Sequence, residues 1–583
     1  MNLIDAIKSV RLFEEKEQLI PLQTKWSEKL DSEHVLQEYP RPQMKRDSYY
    51  NLNGYWDYAF TKDKHYPESF DGKILVPFSP ESQLSGVLRQ LQPDEFLWYK
   101  YSIDNHLQKN QRCLLHFGAV DQIVDVYMNN QLIIHHVGGY LPFDIDITNY
   151  LCDEEIILSL CVQDLSDTSY HSKGKQRLQR GGMYYTAQSG IWQTVWIEYV
   201  SETYIQDVKI IPDFDHDKIQ ITVILNHPAN ISIQINDEDV QTFSNQEETF
   251  VQDIHIKDKI PWTPDYPYLY NLIISTDNDK VECYFAMRVW SIEKDDNNYP
   301  RTCLNHQPLF MHGVLDQGYW PDGLYTAPCD KALIYDIEKM KALGFNMIRK
   351  HIKIEPARWY YHCDRLGMIV WQDMVTSGSP YHTWFITWLP SLFSWTKKHI
   401  SDKHLRLLSR QEKENREEFI TECRLTIEHL SHFPSINTWV LFNEGWGQFD
   451  TKKLTSYLRE LDSTRFIDAT SGWFDQGCGD FRSEHHYFDE PKIIDDSRVF
   501  VLSEYGGYAC QIKDHHSVNK VYGYKTFVTT EEFSKAYKQL LEETVEPLIS
   551  QGLCGAVYTQ VSDIEEEVNG LLTYDREICK LKD

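Results

Sequence analysis

The chain has 583 residues and a net charge of −29, from 58 basic and 87 acidic side chains. A chain of this length is too long to fold around one hydrophobic core and indicates about three domains. The negative charge would repel phosphate backbones and anionic membrane surfaces, so we expect neither a nucleic acid nor a membrane as partner. Acidic residues interrupt the first twenty positions, and no later stretch is apolar for the length of a membrane span, so we predict a cytoplasmic protein. The twelve cysteines show no CxxC spacing, which predicts free thiols without disulfides or zinc.

Residues 1–45 form an N-terminal extension, and the pattern from residue 46 to residue 200 is one of short alternating strands separated by turn residues. A representative stretch is "RCLLHFGAVDQIVDVYMNNQLIIHH", in which Asn129-Asn130 predicts a hairpin turn. No long helical period interrupts these strands. The segment is therefore predicted to form a β jelly-roll sandwich.

Residues 201–291 continue with strands alone, for example in "KIQITVILN", "ISIQIND" and "VECYFAMRVW". Roughly ninety residues of this pattern predict a small immunoglobulin-like β-sandwich. We find no convincing catalytic constellation in either of the two β domains.

Residues 292–583 alternate helices with short apolar runs. The predicted strands are "PLFMHGV", "FNMIR", "MIVWQD", "INTWVLFN", "RFIDAT", "RVFVLSE" and "CGAVYTQ", with the eighth placed in "FRSEHHYF". Repeated β-then-α units with continuous apolar strands indicate a parallel sheet, and the length of this part of the chain is typical of a (β/α)8 TIM barrel.

Two glutamates end predicted barrel strands: Glu444 follows "INTWVLFN" and Glu504 ends "RVFVLSE". Because the carboxyl ends of barrel strands meet at one mouth, these carboxylates could converge on one pocket. Glycoside hydrolysis requires such a pair, one protonated to assist the leaving oxygen and one ionised to meet the charge that forms at the sugar carbon. Other strand-end side chains that could face this mouth are Arg349, Asp373, Tyr487, Tyr558 and Gln560.

Each of these side chains also has a structural explanation. A strand-end glutamate can be a salt-bridge partner or a helix cap, Arg349 can be structural, and Asp373 can hold a loop. His351, His485 and His486 could indicate a metal site, but no third ligand stands at a recognisable spacing, so we predict no metal. The combination is more informative than any single member.

The motifs "FNEGWG", "LSEYGG", "SGIWQTVWIE" and "GFNMIRKH", the last followed by "WYYHCDRLGMIVW", resemble family 2 of the glycoside hydrolases. That family contains β-galactosidases, β-glucuronidases and β-mannosidases, and the resemblance extends from about Tyr49 in the family's order of jelly-roll, immunoglobulin-like and barrel domains. Large N-terminal β domains in this family often form dimer contacts, so the resemblance also implies a homo-oligomer.

The resemblance implies a role for each motif residue. Glu444 would be the general acid/base, carrying a proton at neutral pH, and Glu504 the nucleophile. Asn443 would bind the sugar's 2-hydroxyl, while Arg349 and Tyr487 would orient Glu504 and keep it ionised. The implied mechanism is double displacement with retention, for which the two carboxyl groups should stand about 5 to 5.5 Å apart.

The sequence departs from the family pattern in three places. The family's Arg, two small residues and His-Tyr-Pro are replaced by "RKHIKI", which brings His351 one position early and weakens its expected contact with substrate. The stretch "MVTSGSPYH" lacks the magnesium ligands of some β-galactosidases, so no metal or other cofactor is predicted. "QVSDIEEEVNG" stands where β-glucuronidases carry Asn-x-Lys, although Lys520 or Lys525 could supply a cation after Glu504.

Four aromatic residues follow or flank the catalytic strands and could either stack on a sugar or pack loops: Trp446, Trp473, Tyr505 and Tyr508. The family's habit is an exo-acting pocket for one terminal sugar. We expect a β-galactoside first, then a β-glucuronide, a β-mannoside or an α-L-arabinopyranoside. A non-catalytic carbohydrate-binding protein, and a transglycosylase or phosphorylase, are the alternatives that assays on nitrophenyl glycosides would separate.

Overall fold

The computed structural model describes residues 17–151, 155–382, 384–392, 400–487, 491–494 and 496–582. Along the chain these residues form a large β-sandwich, a smaller β-sandwich and an eight-stranded parallel barrel, which confirms the predicted fold class. Among the described helices, none has the length and apolar character needed to cross a membrane. Each described cysteine is a free thiol.

The first sandwich packs a four-stranded sheet, ordered β1-β14-β5-β9, against a six-stranded sheet, ordered β3-β2-β4-β10-β7-β8. Alternate residues of strands such as β10 point into the core between the sheets, among them Leu158, Leu160 and Val162. The strands are β1 (Tyr49–Asn51), β2 (Gly54–Thr61), β3 (Gly72–Val76), β4 (Phe96–Ser102), β5 (Gln111–Phe117), β6 (Val120–Asp121), β7 (Ile123–Met128), β8 (Gln131–Val137), β9 (Phe143–Asp146), β10 (Ile157–Gln163), β11 (Gln176–Arg177), β12 (Tyr185–Thr186), β13 (Gly190–Ile191) and β14 (Val195–Ser201).

The predicted hairpin turn at Asn129-Asn130 is confirmed, since it joins the antiparallel strands β7 and β8. Both asparagines have positive φ, 48° and 66°, as a two-residue turn with the twist of the flanking strands requires.

The second sandwich has a three-stranded sheet, β15-β16-β19, and a four-stranded sheet, β18-β17-β20-β21. In β16 the buried Ile219, Ile221 and Val223 alternate with more exposed residues, so one face of this strand lies in the core. The strands are β15 (Ile205–Asp213), β16 (Lys218–Leu225), β17 (Ile231–Ile235), β18 (Gln241–Phe243), β19 (Thr249–His255), β20 (Tyr270–Ser275) and β21 (Lys280–Phe285). The predicted boundaries of both sandwiches stay predictions.

The barrel consists of eight strands whose pairings are all parallel, in the order β29-β28-β27-β26-β25-β34-β31-β30. Strands β29 and β30 meet where Ser483 Oγ donates to Asp468 Oδ2 at 2.9 Å, and this contact closes the ring. The strands are β25 (Met311–Asp316), β26 (Met347–Lys350), β27 (Ile369–Asp373), β28 (Ile436–Val440), β29 (Phe466–Asp468), β30 (Phe481–His486), β31 (Val499–Gly506) and β34 (Leu553–Thr559). The eighth predicted strand is thus found where "FRSEHHYF" placed it.

Other elements surround the barrel. A hairpin sheet, β22 (Trp290–Lys294), β23 (Pro300–Leu304) and β24 (Gln307–Pro308), precedes it, and β32 (Tyr508–Cys510) pairs with β33 (Lys525–Phe527) after β31. The helices are α1 (Asp330–Ala342), α2 (Ala357–Leu366), α3 (Leu389–Leu392), α4 (Lys413–Leu430), α5 (Thr451–Leu461), α6 (Thr530–Leu540) and α7 (Glu546–Ile549), with π-helical turns at Trp384–Trp388 and Leu541–Val545 and 3-10 turns at Ser27–Lys29, Pro42–Met44, Thr148–Tyr150 and Ser166–Thr168.

Gly367 ends helix α2 with a φ of 72°. A Cβ at this position would lie 2.2 Å from the carbonyl oxygen of Pro264, so only glycine fits both the backbone turn and the neighbouring loop.

The barrel interior divides into an apolar and a polar end. Met311, Met347, Trp371 and Val501 fill the apolar end, and the preceding hairpin contributes Trp290 to the same cluster. The polar side chains described below gather at the opposite end, where the strands terminate. The fold therefore places them in one mouth above a solid apolar floor.

Candidate active site

Glu444 and Glu504 converge at the carboxyl end of the barrel. Glu444 follows β28 and Glu504 lies near the end of β31. A carboxylate oxygen of each, together with a ring nitrogen of His485, lie within 4.8 Å of one another. The 60 intervening positions are bridged by the closure of the barrel, as the strand-end prediction required.

The backbone at Glu444 leaves the strand conformation abruptly. Its amide donates to Ser471 O at 2.9 Å, continuing the pairing with the neighbouring strand, but its φ is +50°. A positive φ in a residue that is not glycine costs about 1–3 kcal/mol and persists where the surroundings enforce it. Gly445 follows with a φ of 72°, and a Cβ there would lie 2.3 Å from the Phe474 ring, so the turn depends on that glycine.

Arg349, on β26, connects most of the polar groups in the mouth. It is fully buried and donates five hydrogen bonds: two to Asp373, at 2.9 and 3.0 Å, one to Ser503 O at 3.0 Å, one to Glu504 Oε1 at 3.2 Å and one to Asn443 Oδ1 at 2.9 Å. Since Oδ1 accepts from Arg349, the orientation of the Asn443 amide is fixed. The Asn443 Nδ2 group is then left to donate elsewhere, and no described residue accepts from it.

Glu504 is held as a carboxylate. Burial alone would raise its pKa, but the electrostatic effects of His485, Arg349 and other neighbouring groups outweigh burial and lower the pKa to about 2. The Tyr487 hydroxyl donates to Glu504 Oε2 and lies 3.1 Å from Thr559 Oγ1. Burial and the charge of Glu504 raise the pKa of Tyr487 well above its ordinary value, so this hydroxyl keeps its proton.

His485 joins both carboxylates to a row of hydroxyl groups, a role that sequence reasoning missed. Its Nδ1 lies 2.8 Å from Glu444 Oε1 and 3.7 Å from Glu504 Oε2, and its Nε2 lies 2.8 Å from Ser471 Oγ. Ser471 Oγ in turn lies 2.8 Å from Ser503 Oγ. The available signal was the two-residue period of β30, which places His485 and Tyr487 on the same face.

Two predicted substrate-binding residues lie behind Arg349. Asp373 is only 1 % exposed, and both of its oxygens accept from Arg349. His351 Nδ1 lies 2.7 Å from Asp373 Oδ2, and burial, with the charges of Lys175 and Arg349, lowers the pKa of His351 well below its ordinary value. A neutral His351 therefore donates from Nδ1 to Asp373. Asp373 thus orients Arg349 and His351, and its predicted contact with substrate stays a prediction.

Tyr558 does not belong to the mouth, which corrects its predicted role. Its ring packs edge-on against Tyr505, with centroids 5.6 Å apart, and against Tyr537 of α6, at 4.9 Å. The preceding Val557 instead lies in the interior cluster of the barrel. Because side chains alternate along a strand, Tyr558 points outward between the barrel and its helices.

The other predicted residues lie at the rim. Trp446 is buried and stacks on Tyr184, with centroids 5.7 Å apart. Its Nε1 has no hydrogen-bond partner among the described residues. Gln560 is buried, and its Nε2 donates to Asn569 Oδ1 at 2.7 Å and to Glu567 Oε2 at 3.3 Å.

Lys175 of the first sandwich also reaches the mouth, although no prediction included it. Its Nζ lies 5.8 Å from the centre of the Trp446 ring. Its positive charge is among those that lower the pKa of Glu504. Lys520 and Lys525, the cations suggested from sequence, are both exposed, and Lys525 lies over the rings of Tyr508 and Phe527.

Glu444, His485 and Glu504 also form a group that could hold a cation. Two carboxylates and an imidazole are a donor set that zinc accepts. In this protein His485 lies between the two carboxylates, 2.8 Å from Glu444 Oε1 and 3.7 Å from Glu504 Oε2, and contacts the Ser471 hydroxyl. The prediction of a metal-free site stays a prediction, tested by the effect of a chelator on activity.

Comparison with known proteins identifies the family. Three profiles match: "Glycosyl hydrolases family 2, sugar binding domain" over residues 79–198, "Glycosyl hydrolases family 2" over residues 203–288, and "Glycosyl hydrolases family 2, TIM barrel domain" over residues 300–577. The matches follow one another in the order of the two sandwiches and the barrel.

Similar curated proteins include a β-galactosidase of Thermoanaerobacter pseudethanolicus, 25% identical over 452 residues, which are 73% of this chain and 56% of that protein. A putative β-glucuronidase of Formosa agariphila is 24% identical over 392 residues, covering 63% of this chain and 42% of that protein. The chain thus spans about half the length of these relatives.

Similar solved structures include a β-galacturonidase of Eisenbergiella tayi bound to galacturonate, with a TM-score of 0.68 and 16% identity, covering 92% of this chain and 96% of that one. A β-D-glucuronidase of Dictyoglomus thermophilum has a TM-score of 0.69 and 17% identity, with the same coverage. At this identity the likeness demonstrates a shared fold.

Proposed function

The chain belongs to family 2 of the glycosyl hydrolases, and from that premise we propose that it is a retaining, exo-acting glycosidase that removes one β-linked terminal sugar. The observation that carries the proposal is the approach of the Glu444 and Glu504 carboxylates to within 4.8 Å. Retaining enzymes hold their carboxyl groups about 5–5.5 Å apart, whereas inverting enzymes leave about 6.5–9.5 Å for a water molecule.

In the first step Glu504 attacks the anomeric carbon. It is ionised, with a pKa near 2, and Arg349 and Tyr487 bind its two oxygens, so one lone pair of a fixed carboxylate can point at the sugar. As the bond from the anomeric carbon to the leaving oxygen breaks, Glu444 gives its proton to that oxygen. With Nδ1 protonated, His485 donates to Glu444 Oε1 and leaves Oε2 for the leaving group.

In the second step water releases the sugar. Glu504 is now an ester and has lost its negative charge, so Glu444 can act as an anion and take a proton from the attacking water. The oxygen of that water bonds to the anomeric carbon, and Glu504 departs as a carboxylate. Two inversions at the same carbon give net retention.

Asn443 is the proposed ligand of the sugar's 2-hydroxyl. Its Oδ1 is occupied by Arg349 at 2.9 Å, so its Nδ2 is the group available to a sugar oxygen beside the two carboxylates. A hydrogen bond to the 2-hydroxyl that strengthens as charge develops at the neighbouring anomeric carbon would contribute several kcal/mol to transition-state stabilisation.

The first sandwich supports an exo-acting pocket, because its residues 173–186 lie against the loops of the barrel mouth. Gly182 N donates to Glu566 Oε2 at 2.9 Å, and Thr186 N donates to Glu565 Oε1 at 3.0 Å. A segment fixed in this way across one side of the mouth would close a cleft into a pocket for a chain end.

Two sugar classes merit testing. A β-galactoside is the first, since the relative from Thermoanaerobacter pseudethanolicus is named a β-galactosidase. A β-hexuronide is the second, favoured by Lys175, whose positive charge acts on Glu504 and would attract a sugar carboxylate. β-Mannosides and α-L-arabinopyranosides complete the panel.

The test is a panel of p-nitrophenyl glycosides with product stereochemistry followed by proton NMR. We expect nitrophenol release from at least one β-glycoside and the β-anomer as first product. An α-anomer as first product from a β-glycoside would refute retention. Binding of sugars without release from any substrate would instead favour a carbohydrate-binding protein, and sugar transfer to an acceptor other than water would identify a transglycosylase or phosphorylase.

A further inference from the structure

A row of three buried serine hydroxyls links His485 to a further carboxyl group, that of Asp468, at the end of β29. Ser471 Oγ lies 2.8 Å from His485 Nε2 and 2.8 Å from Ser503 Oγ. Ser483 Oγ lies 2.6 Å from Ser503 Oγ and 2.9 Å from Asp468 Oδ2. Hydrogen bonds therefore run without a break from Asp468 to the histidine.

The row is closed off from bulk water and ends at the proposed general acid. Asp468 and the three serines are at most 4 % exposed. His485 Nδ1 lies 2.8 Å from Glu444 Oε1, so five hydrogen-bonded contacts connect two carboxyl groups. Glu484 O, 3.5 Å from Ser503 Oγ, is a more distant acceptor than either neighbouring hydroxyl.

The number of hydrogens decides how this row can be arranged. Each serine hydroxyl supplies one hydrogen and a neutral histidine supplies one, so four hydrogens serve five contacts. One contact would then bring two lone pairs together, unless a carboxyl group at one end supplies the fifth hydrogen. A proton on Asp468 makes every hydrogen in the row point towards Glu444, whereas a proton on Glu444 Oε1 makes every hydrogen point towards Asp468.

Only the first arrangement suits an acid catalyst. With the proton on Asp468, His485 accepts from Ser471 at Nε2 and donates from Nδ1 to Glu444 Oε1. Glu444 Oε2 is then available to carry the proton for the leaving oxygen. In the reverse arrangement the proton of Glu444 lies on Oε1 and points at His485 instead of the substrate.

Two observations favour a proton on Asp468. Burial raises the pKa of Asp468 to about 6, and the negative charge of Asp373 on β27 adds to the rise. The positive charge of Arg349 on β26, the hydrogen bond from Ser483 and the influence of His485 on β30 oppose the rise without cancelling it. The other oxygen, Asp468 Oδ1, is buried and no described residue donates to it, which costs an anion more than a neutral acid.

We propose that Asp468 is a positioning residue that keeps a proton and, through the row of serines, orients His485 towards Glu444. The inference rests on the proposed glycosidase function and deepens it by naming the group that holds the general acid in its active orientation. This orientation is populated while Asp468 is protonated, and it is lost as Asp468 ionises above its pKa of about 6.

The test is the pH dependence of kcat/KM for two glycosides of the preferred sugar, a phenyl glycoside that needs acid assistance and a dinitrophenyl glycoside that does not. For the phenyl glycoside, wild-type activity should fall above about pH 6. Asp468→Asn carries an amide that donates to Ser483 at every pH. Its activity at pH 5 should stay within about threefold of the wild type, and its alkaline limb should move up by about one pH unit or more.

Asp468→Leu has a similar volume but cannot donate to Ser483. It should lower kcat/KM at pH 5 by about tenfold for the phenyl glycoside, the worth of one hydrogen bond, and by less than about threefold for the dinitrophenyl glycoside.

Asp364→Asn is the matched control, because it removes a carboxyl group on α2 whose pKa burial raises to about 7 and which accepts from Tyr284 and Ser435, outside the row. It should leave both pH profiles unchanged. Thermal unfolding of each variant checks that the fold is intact.

Alkaline limbs that coincide in the wild type and Asp468→Asn would overturn the inference. Equal losses for both glycosides in Asp468→Leu would also overturn it, because a merely structural aspartate affects both leaving groups alike. Either result leaves the proposed glycosidase function standing, since the wild type still turns over. No turnover of any glycoside by the wild type would overturn the proposed function itself.

Discussion

Replacing Tyr487 with Phe removes one hydroxyl from Glu504 and leaves the ring stack on Tyr524, at 4.1 Å, in place. A hydrogen bond to a charged group contributes about 1.5–3 kcal/mol, which corresponds to a change of about 1–2 in pKa. The pKa of Glu504 should therefore rise from about 2 towards about 3–4. At pH 7 Glu504 stays ionised in both proteins. We therefore expect kcat/KM at pH 7 to fall about tenfold in the variant, a loss that reports only on how Tyr487 positions the Glu504 carboxylate.

The assay is the pH dependence of kcat/KM, whose acid limb reports the ionisation of the essential base in the free enzyme. The wild-type enzyme should show no acid limb above about pH 3, while the variant should lose activity below about pH 4. Tyr505→Phe is the matched control, since its buried hydroxyl has no partner among the described residues. Coincident acid limbs for wild type and Tyr487→Phe, with folding verified by circular dichroism, would refute the reasoning.

Three further predictions concern the same site. Glu444→Gln should lower kcat/KM by about 10²–10⁴ for a glycoside with a poor leaving group but far less for the dinitrophenyl glycoside, which needs no acid; equal losses would contradict the acid role. Asn443→Ala should abolish the difference in kcat/KM between a substrate and its 2-deoxy analogue. A double-mutant cycle over enzyme and substrate measures this coupling, and a difference that persists in the variant would argue against the 2-hydroxyl contact. Arg349→Met should lower the free energy of unfolding by about 3–5 kcal/mol, because the buried Asp373 loses its ion-pair partner and keeps only the hydrogen bond from neutral His351. The folded-state pKa of Glu504 lies below its unfolded value of about 4.3, so the stabilisation from Arg349 is present above that pH and is lost as pH falls towards 2. The free energies of unfolding from chemical denaturation at pH 7 and pH 3 should therefore differ less in the variant than in the wild type.

The barrel and its paired glutamates were predictable because they depend on local patterns. Each parallel strand is a continuous apolar run, and a charged residue at its end must face the mouth. Glu444 and Glu504 follow two such runs, and the structure brings their carboxylates together. The strand with the least continuous apolar pattern is Phe481–His486, because the residues on its inward face are polar and belong to the site.

Side-chain direction was harder to predict than strand position. Tyr558 ends a strand as Glu504 does, yet it points outward, because the register of β34 places Val557 on the inner face. His485 was considered only as a metal ligand, although it shares the inner face with Tyr487. The two-residue period of each strand carried this information, but the strand-end position alone did not.

Contributions from the other domain were outside the reach of local patterns. Lys175 reaches the mouth because Thr376 and the acidic stretch of Glu565 and Glu566 fix the segment around it. The residues in these contacts are far apart in sequence. Thr376 and Gly174 are separated by 202 positions, and Gly182 and Glu566 by 384. Nothing in the periodicity of either segment encodes such docking.

The measurement that tests the central claim most directly is mass spectrometry of the enzyme inactivated by a dinitrophenyl 2-deoxy-2-fluoro-β-glycoside of the preferred sugar. The fluorine slows both steps, and the good leaving group allows the first to proceed, so a covalent intermediate should accumulate. We predict one added fluorosugar per chain, attached to Glu504 in the peptide that contains "LSEYGG". Turnover without any adduct, or an adduct on a residue other than Glu504, would contradict the account.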